Sequence, residues 1–179
     1  MRIAVTGKMC SGKTTLCNYL CELEPRFEIF SFGKKVKSVA SDLFQMDPLI
    51  KDRTLLTSIG QKMREIDSEV WINYVIQQCS TKEFCLVDDL RYQNEYEALV
   101  KNGFKIIQLN ISDELQEERI KSVYPDNYND HLKNRNHASE LNNFQWLRDG
   151  DGEDHPHLSI DSSMDKEEIK KLIREFIRL

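Results

Sequence analysis

The sequence predicts an α/β fold in which a parallel sheet is covered by helices on both faces. Three observations predict it. Short apolar runs alternate with segments of helical spacing. A glycine-rich stretch, Gly7-Lys8-Met9-Cys10-Ser11-Gly12-Lys13-Thr14, stands between the first apolar run and the first helical segment. A continuous apolar run, Phe84-Cys85-Leu86-Val87, ends in Asp88-Asp89, as a central parallel strand does.

Taken in order, Arg2-Ile3-Ala4-Val5-Thr6 reads as a short buried strand. After the glycine-rich stretch, Leu16, Tyr19, Leu20 and Leu23 fall on one helical face. Phe27 to Ser31 is a second short strand, followed by a helix with Val36, Val39, Ala40, Leu43 and Phe44 on one face. Met46-Asp47-Pro48 ends it, because the residue before a proline avoids helix. From Asp52 to about Cys79 the spacing is helical in two runs. Leu56, Ile59, Met63 and Ile66 mark the first, and Trp71, Val75 and Cys79 the second, with Ser68 as its expected cap.

Strand three, Phe84–Val87, leads to a helix marked by Tyr92, Tyr96, Leu99 and Val100 and closed by Asn102-Gly103. Phe104 to Leu109 is a fourth strand. Ser112 caps the next helix, with Asp113 and Glu114 favourably placed in its first turn. Residues 124–156 are polar and read as a long functional loop. His157 to Ile160 is a short fifth strand, and the last helix is expected to open at Ser162 with Asp165 three residues on.

The chain has 179 residues, 40% of them hydrophobic and 31% charged, which suits one domain with an ordinary core. Its net charge of −5 argues against a nucleic-acid polymer as partner, so an anionic ligand needs locally clustered cations. No apolar run reaches about 18 residues, so no membrane span is expected. The first strand begins within two residues of the N-terminus, which leaves no room for a signal peptide. Five cysteines with no CxxC pair read as reduced intracellular thiols. Cys17 and Cys21, one helical turn apart, read as packing rather than a metal site.

The glycine-rich stretch matches the pattern Gly, four residues, Gly, Lys, Ser or Thr, in the strand-to-helix context that pattern needs. Its main chain curls so that N–H groups point inward, and the helix N-terminus adds positive potential. Gly7, Lys8, Cys10, Ser11 and Gly12, with Lys13, Thr14 and Thr15, therefore form a cradle for a polyphosphate. Lys13 reaches the outer phosphates and Thr14 offers its hydroxyl to magnesium. Asp88 or Asp89, at the carboxyl end of strand three, supplies the metal side, with helix capping by these acids before Tyr92 as the alternative. Arg91 presents a planar fork suited to a phosphate, with a surface pair to Glu95 as the alternative.

A second anion site is expected from Lys34, Lys35, Arg53 and Arg64, the two arginines lying on one face of an unbroken helix. Lys37 reads as solvated. Trp71, Tyr74 and Phe32 are candidates for stacking on a base, with core packing as the commoner fate of such rings. Arg119, Lys121, Lys133, Arg135 and His137 lie in or beside the polar segment, where a closing lid would bring cations to a transferring phosphoryl group. The acidic run Asp149–Asp154 fails the EF-hand pattern at its sixth and twelfth positions, Asp154 and Ile160. His155-Pro156-His157 lacks a third metal ligand and reads as loop.

Together these pieces resemble the P-loop deoxynucleoside monophosphate kinases of phages and large DNA viruses. The resemblance is carried by the loop at 7–14, by Phe30-Ser31-Phe32-Gly33-Lys34-Lys35, and by Asp52-Arg53 with Leu55. Gly60, Arg64, Asp67 and Trp71 continue it. Its most specific parts are Asp89-Leu90-Arg91-Tyr92-Gln93-Asn94-Glu95 and His137-Ala138-Ser139-Glu140. Animal-type phosphomevalonate kinase is similar through its own Asp-x-Arg.

The resemblance implies a P-loop NTPase fold with a five-stranded parallel sheet, an acceptor-binding helical insert at about 34–79 and a lid at about 119–140. It implies transfer of the γ-phosphate of ATP, with Mg2+, to a nucleoside monophosphate in the cytoplasm, the host's if the source is viral. A homodimer is left open. The implied catalytic set is Lys13, Arg91, Arg119 and Arg135. The acceptor set is Lys34, Arg53, Arg64, Trp71, Asp89 and Arg91, and the metal set Thr14, Asp88 and Asp89. Two departures stand out: Gly33-Lys34-Lys35-Val36-Lys37 replaces the family's Ala-Asp-Pro-Leu-Lys, and Asp161-Ser162-Ser163 its Asn-Asp-Gly turn.

The competing class is a nucleotide-dependent switch. A GTPase would need Asp-x-x-Gly after strand three and an Asn-Lys-x-Asp reader. The chain has Asp88-Asp89-Leu90-Arg91 and Asn134-Arg135-Asn136-His137 instead.

Overall fold

A computed structural model describes residues 1–47, 52–126, 128–134, 144–145 and 158–178. Five strands, β1 (Arg2–Gly7), β2 (Glu28–Phe30), β3 (Cys85–Leu90), β4 (Lys105–Asn110) and β5 (Leu158–Asp161), form one sheet. Their order is β2-β3-β1-β4-β5, and every pairing is parallel. The helices are α1 (Lys13–Leu23), α2 (Phe32–Phe44), α3 (Arg53–Ile66), α4 (Val70–Cys79), α5 (Gln93–Lys101), α6 (Asp113–Val123), α7 (Tyr128–Asn134) and α8 (Lys166–Arg178).

Strand alternation splits the core in two. Ile3, Val5, Leu86, Ile107 and Ile160 pack with Leu16, Cys17 and Leu20 of α1 and with Ile173 and Phe176 of α8. Ala4, Cys85, Val87 and Ile106 pack on the opposite face with residues of α2 to α5, including Ala40, Ile59, Val75 and Leu99. β1 lies at the centre, so the loop that follows it emerges between its neighbours β3 and β4.

The pairing of β1 with β3 shifts register: Ala4 faces Val87 while Thr6 faces Leu90. Two β3 residues, Asp88 and Asp89, thus oppose Val5 alone. Such a bulge re-aims side chains. The buried Thr6 hydroxyl donates to Leu90 O at 2.9 Å across it.

Local signals explain most helix ends. Ser31, Asp52 and Ser112 each accept a main-chain N–H three residues on. Gln45, at φ +54°, ends α2 before the proline. Several expected details differ. Ser68 does not cap α4; Asp67 Oδ1 accepts from Glu69 N at 2.9 Å instead. α8 opens at Asp165, whose Oδ1 accepts from Glu167 N, while Ser162 turns elsewhere. Leu43, Phe44 and Ile66 follow the apolar spacing of their helices but are exposed, each lying in its helix's last turn. The polar stretch from 124 carries a short helix, α7, rather than loop throughout.

Burial sets the expected cost of truncation. Ile107→Ala, at a fully buried position in β4, should lower the unfolding free energy by about 2–5 kcal/mol. Ile66→Ala, at a side chain 81% exposed, should change it by no more than about 0.5 kcal/mol. Urea titrations of both variants check this, and comparable losses would contradict the division into core and surface.

Candidate active site

The loop after β1 is shaped by close approach. A Cβ on Gly7, at φ +157°, would stand 2.5 Å from Ser11 Oγ and 2.9 Å from Leu109 O, so only glycine fits. Cys10 takes φ +61°, and Gly12 takes φ +98° at the start of α1. Gly12 stands at the N-cap of α1 and has no side chain to cap it, so the helix start adjoins the loop directly. Ser11 N donates across the turn to Lys8 O at 3.2 Å. Lys13 Nζ donates to Gly7 O at 2.5 Å and Lys8 O at 2.8 Å, which sets its charge over the loop. Thr14 and Thr15 are exposed and line, with Cys10 to Lys13, a cavity of about 650 Å³. Its far wall is apolar, from Tyr19, Leu109, Met164 and Ile169. Lys8 itself is turned outward, paired with Asp113 at 2.9 Å.

The bulge in β3 separates the two aspartates. Asp89 accepts from Ser31 Oγ at 2.8 Å, Phe32 N at 2.9 Å and Gly33 N at 2.8 Å. It therefore caps α2 as a carboxylate, not the helix that follows Tyr92. Asp88 lies within electrostatic reach of α1, where its charge helps to raise the Cys17 thiol. Its Oδ1 is buried with no hydrogen-bond partner. Burial, then the neighbouring Asp89 charge, pushes the Asp88 carboxyl up to about 6.

A second cavity, of about 950 Å³, adjoins the loop at Met9. Arg53, Arg64 and Arg91 line it, with Lys37, Asp89 and Glu95. Lys34 does not line it, whereas Lys37, one helical turn further on, does while staying exposed, in keeping with its reading as solvated. Trp71 is a further correction. It is buried in the core behind α3, and its Nε1–H donates to Gly60 O at 3.2 Å. Tyr124 lines both cavities.

Arg64 is held from several sides. Its Nη2 meets Glu95 Oε1 at 3.2 Å, its Nη1 donates to Gly60 O at 3.2 Å, and its guanidinium lies 4.4 Å from the centre of the Tyr92 ring. Glu95 is 2% exposed, and its Oε2 accepts from the main-chain N–H of Arg91 and of Tyr92. Glu95 thus pairs with Arg64 in a part-buried contact, where a surface pair with Arg91 stood as the alternative reading.

Arg119, expected where the lid begins, sits on α6, with Nη1 on Cys10 O at 3.2 Å and Nη2 on Ser162 O at 2.7 Å. Arg135 and the His137–Glu140 element lie outside the described residues, as do the acidic run 149–154 and the histidines at 155 and 157. Sequence reasoning missed His131, which is 1% exposed, stacks on Tyr124 at 3.9 Å and lies 3.3 Å from Arg53 Nη2. Burial, then the Arg53 charge, lowers its pKa. Nothing in its spacing marked it, since α7 has no strong apolar pattern. All five cysteines are free thiols. Among the described residues no three His, Cys, Asp or Glu side chains cluster as a metal site, and no helix is long and apolar enough to cross a membrane.

A family model described as an AAA domain matches residues 3–143. The chain belongs to this AAA domain family. No curated protein matches it. Solved structures similar to this AAA domain include a sugar kinase from Janibacter sp., at 12% identity and TM-score 0.62, covering 99% of this chain and 94% of that one. A gluconokinase from Sinorhizobium meliloti matches at 13% identity and TM-score 0.58, over 99% and 91%. Shikimate kinase from Aquifex aeolicus matches at 17% identity and TM-score 0.50, over 99% and 96%. With its parallel sheet, flanking helices and loop after β1, the AAA domain has the P-loop NTPase fold of these proteins.

The buried glutamate gives a pH test. Burial is the largest influence on Glu95 and pushes it up to about 7, against the lowering effects of the Arg91 and Tyr92 amides; Asp89 adds to the rise and Arg64 opposes it. Unfolded, the group titrates near 4.5. Between those values the native state binds more protons, so this group's contribution makes unfolding easier as pH rises from about 4.5 through about 7. Glu95→Gln removes that slope. Relative to the variant, the wild type should lose stability across the window, as read by urea melts, and a pH-independent difference would refute it.

Proposed function

We propose that this protein is a phosphotransferase that moves the γ-phosphate of ATP to a nucleoside monophosphate, giving ADP and a nucleoside diphosphate. One observation carries the reading. A phosphate loop and a cavity lined by three arginines, Arg53, Arg64 and Arg91, adjoin at Met9 and share Tyr124 as lining. A switch that binds one nucleotide has no use for the second cavity. The similar solved structures named above are a sugar kinase, a gluconokinase and a shikimate kinase, which supports a small-molecule kinase as the class but not a nucleotide as the acceptor.

The donor's phosphates would lie on the loop's amides, with Lys13 exchanging its two loop carbonyls for phosphate oxygens. The residues present fit a magnesium ion. Asp88 Oδ1 is a buried carboxylate oxygen without a partner, and the Thr14 hydroxyl is exposed beside the loop. These two would hold the ion, with Asp89 engaged in capping. Bound there, magnesium would neutralise charge on the donor's phosphates. Arg64 and Arg91 would orient the acceptor phosphate in line with the donor, and their charge would offset repulsion between the two anions. Phe32, Tyr92 and Tyr124 supply flat lining suited to a base.

The test is a panel of deoxy- and ribonucleoside monophosphates, with phosphomevalonate as a further acceptor, each with ATP and magnesium and scored for ADP. Turnover is expected with at least one deoxynucleotide. Lys13→Ala should lower kcat by about 100-fold or more. Arg64→Ala and Arg91→Ala should each raise the acceptor KM by about 10-fold or more with the ATP KM nearly unchanged. ADP formation that is the same with and without every acceptor would favour the switch. Turnover of phosphomevalonate alone would replace the nucleotide.

A further inference from the structure

All five main-chain carbonyls from Gly7 to Ser11 have a side-chain donor. Lys13 serves the first two. The next three are served from outside the loop, each by a different side chain. Gln116 Nε2 donates to Met9 O at 3.0 Å, Arg119 Nη1 to Cys10 O at 3.2 Å, and Ser162 Oγ to Ser11 O at 2.8 Å. Gln116 and Arg119 stand three residues apart on one face of α6, and Ser162 follows β5. Arg119 Nη2 also donates to Ser162 O at 2.7 Å, which ties the two supports together. Gln116 is 1% exposed and Ser162 is 6% exposed. The Gln116 amide oxygen is buried with no partner, so the residue is kept for its donor end alone.

The peptide unit is planar and trans, so a carbonyl held on one side fixes the next residue's N–H on the other. Holding Met9 O and Ser11 O outward therefore orients the Cys10 and Gly12 N–H groups. Cys10 meanwhile sits at φ +61°, which an L residue keeps only when its surroundings impose it. We infer that Gln116, Arg119 and Ser162 form a clamp that presets the loop's amides for a polyphosphate, acting as positioning residues without touching the transferred group. The inference rests on the proposed use of this loop for a triphosphate, but it predicts binding whether or not any acceptor is phosphorylated.

The experiment uses the full chain and two probes, inorganic tripolyphosphate and ATP, each with magnesium, titrated by calorimetry. Ser162→Ala removes no charge, and Gln116→Met keeps volume while removing the donor. Each should weaken both probes by about 10-fold, the scale of one lost buried hydrogen bond. In turnover assays the ATP KM should rise by a similar factor while the acceptor KM holds within about 2-fold. Ser162→Thr, which keeps the hydroxyl, should bind both probes like the wild type. Urea midpoints identify variants that merely unfold.

Three outcomes would overturn the clamp. The first is that folded Ser162→Ala and Gln116→Met variants bind tripolyphosphate as the wild type does. The second is that Ser162→Thr loses as much as Ser162→Ala, which would assign the loss to packing. The third is that Arg119→Ala weakens binding while Ser162→Ala and Gln116→Met do not, which would make Arg119 a direct charge contact. Wild-type binding of tripolyphosphate without turnover of any acceptor would sink the proposed reaction and leave the clamp standing.

Discussion

The bulge in β3 decides how the whole carboxyl edge of the sheet is used. An unbroken ladder against β1 would pair Asp88 and Asp89 with separate residues. With both opposite Val5, the chain bends and the carboxylates part. Asp89 reaches Ser31, Phe32 and Gly33 and so fixes the first turn of α2 to the end of β3. A carboxylate accepting main-chain N–H groups at a helix start is well matched to the helix dipole. Because α2 carries one wall of the arginine cavity, that single side chain sets where the wall stands relative to the loop. Asp88 is left on the loop side, desolvated and short of a partner, which is costly unless something cationic approaches it.

The arginine cavity shows how an acidic chain holds an anion. Its net charge of −5 does not matter locally, because charge focused in a cleft dominates the potential there. What matters is that Arg64 is rigid. Glu95, Gly60 O and the Tyr92 ring each constrain one part of its guanidinium. Trp71 donates to that same Gly60 carbonyl from the core side, so a residue with no access to the cavity still helps fix its geometry. Burying Glu95 carries an electrostatic penalty, seen in its raised pKa, and two main-chain N–H groups together with Arg64 offset it only in part. A mobile Arg64 would lose side-chain entropy on each binding event; a fixed one has already lost it on folding.

Much of this was legible in the sequence because it depends on local rules. The strand–loop–helix unit, the parallel alternation and most helix caps follow from spacing and residue type. The failures share a cause: they depend on contacts between segments far apart in the chain. Whether Leu43, Phe44 and Ile66 are buried depends on what packs against the last turn of each helix, which spacing does not encode. Trp71 has the chemistry of a base-stacking residue, but α4 turns it toward the core. Lys34 and Lys37 stand one turn apart on α2, and only the later one lines the cavity. The bulge has no sequence mark, so the division of labour between Asp88 and Asp89 stayed open. Gln116 and Ser162 look like ordinary surface polar residues until the sheet brings α6 and the end of β5 to the phosphate loop.

Helix α6 also relates the two cavities to one another. Near its first turns it touches the loop through Gln116 and Arg119. Just past its last turn, Tyr124 lines both cavities. One face of that ring is covered by His131, stacked at 21° to it, and His131 in turn lies against Arg53 of the arginine cavity. Tyr124 therefore cannot swing without displacing His131 from Arg53. A close-packed ring sandwich of this kind responds by discrete repacking rather than gradual bending. An acceptor that drew Arg53 toward its phosphate would take away one contact of His131, the ring that stacks on Tyr124. The group shared by the two cavities is in this way mechanically tied to the arginine that first opens α3, through contacts already present in the protein alone.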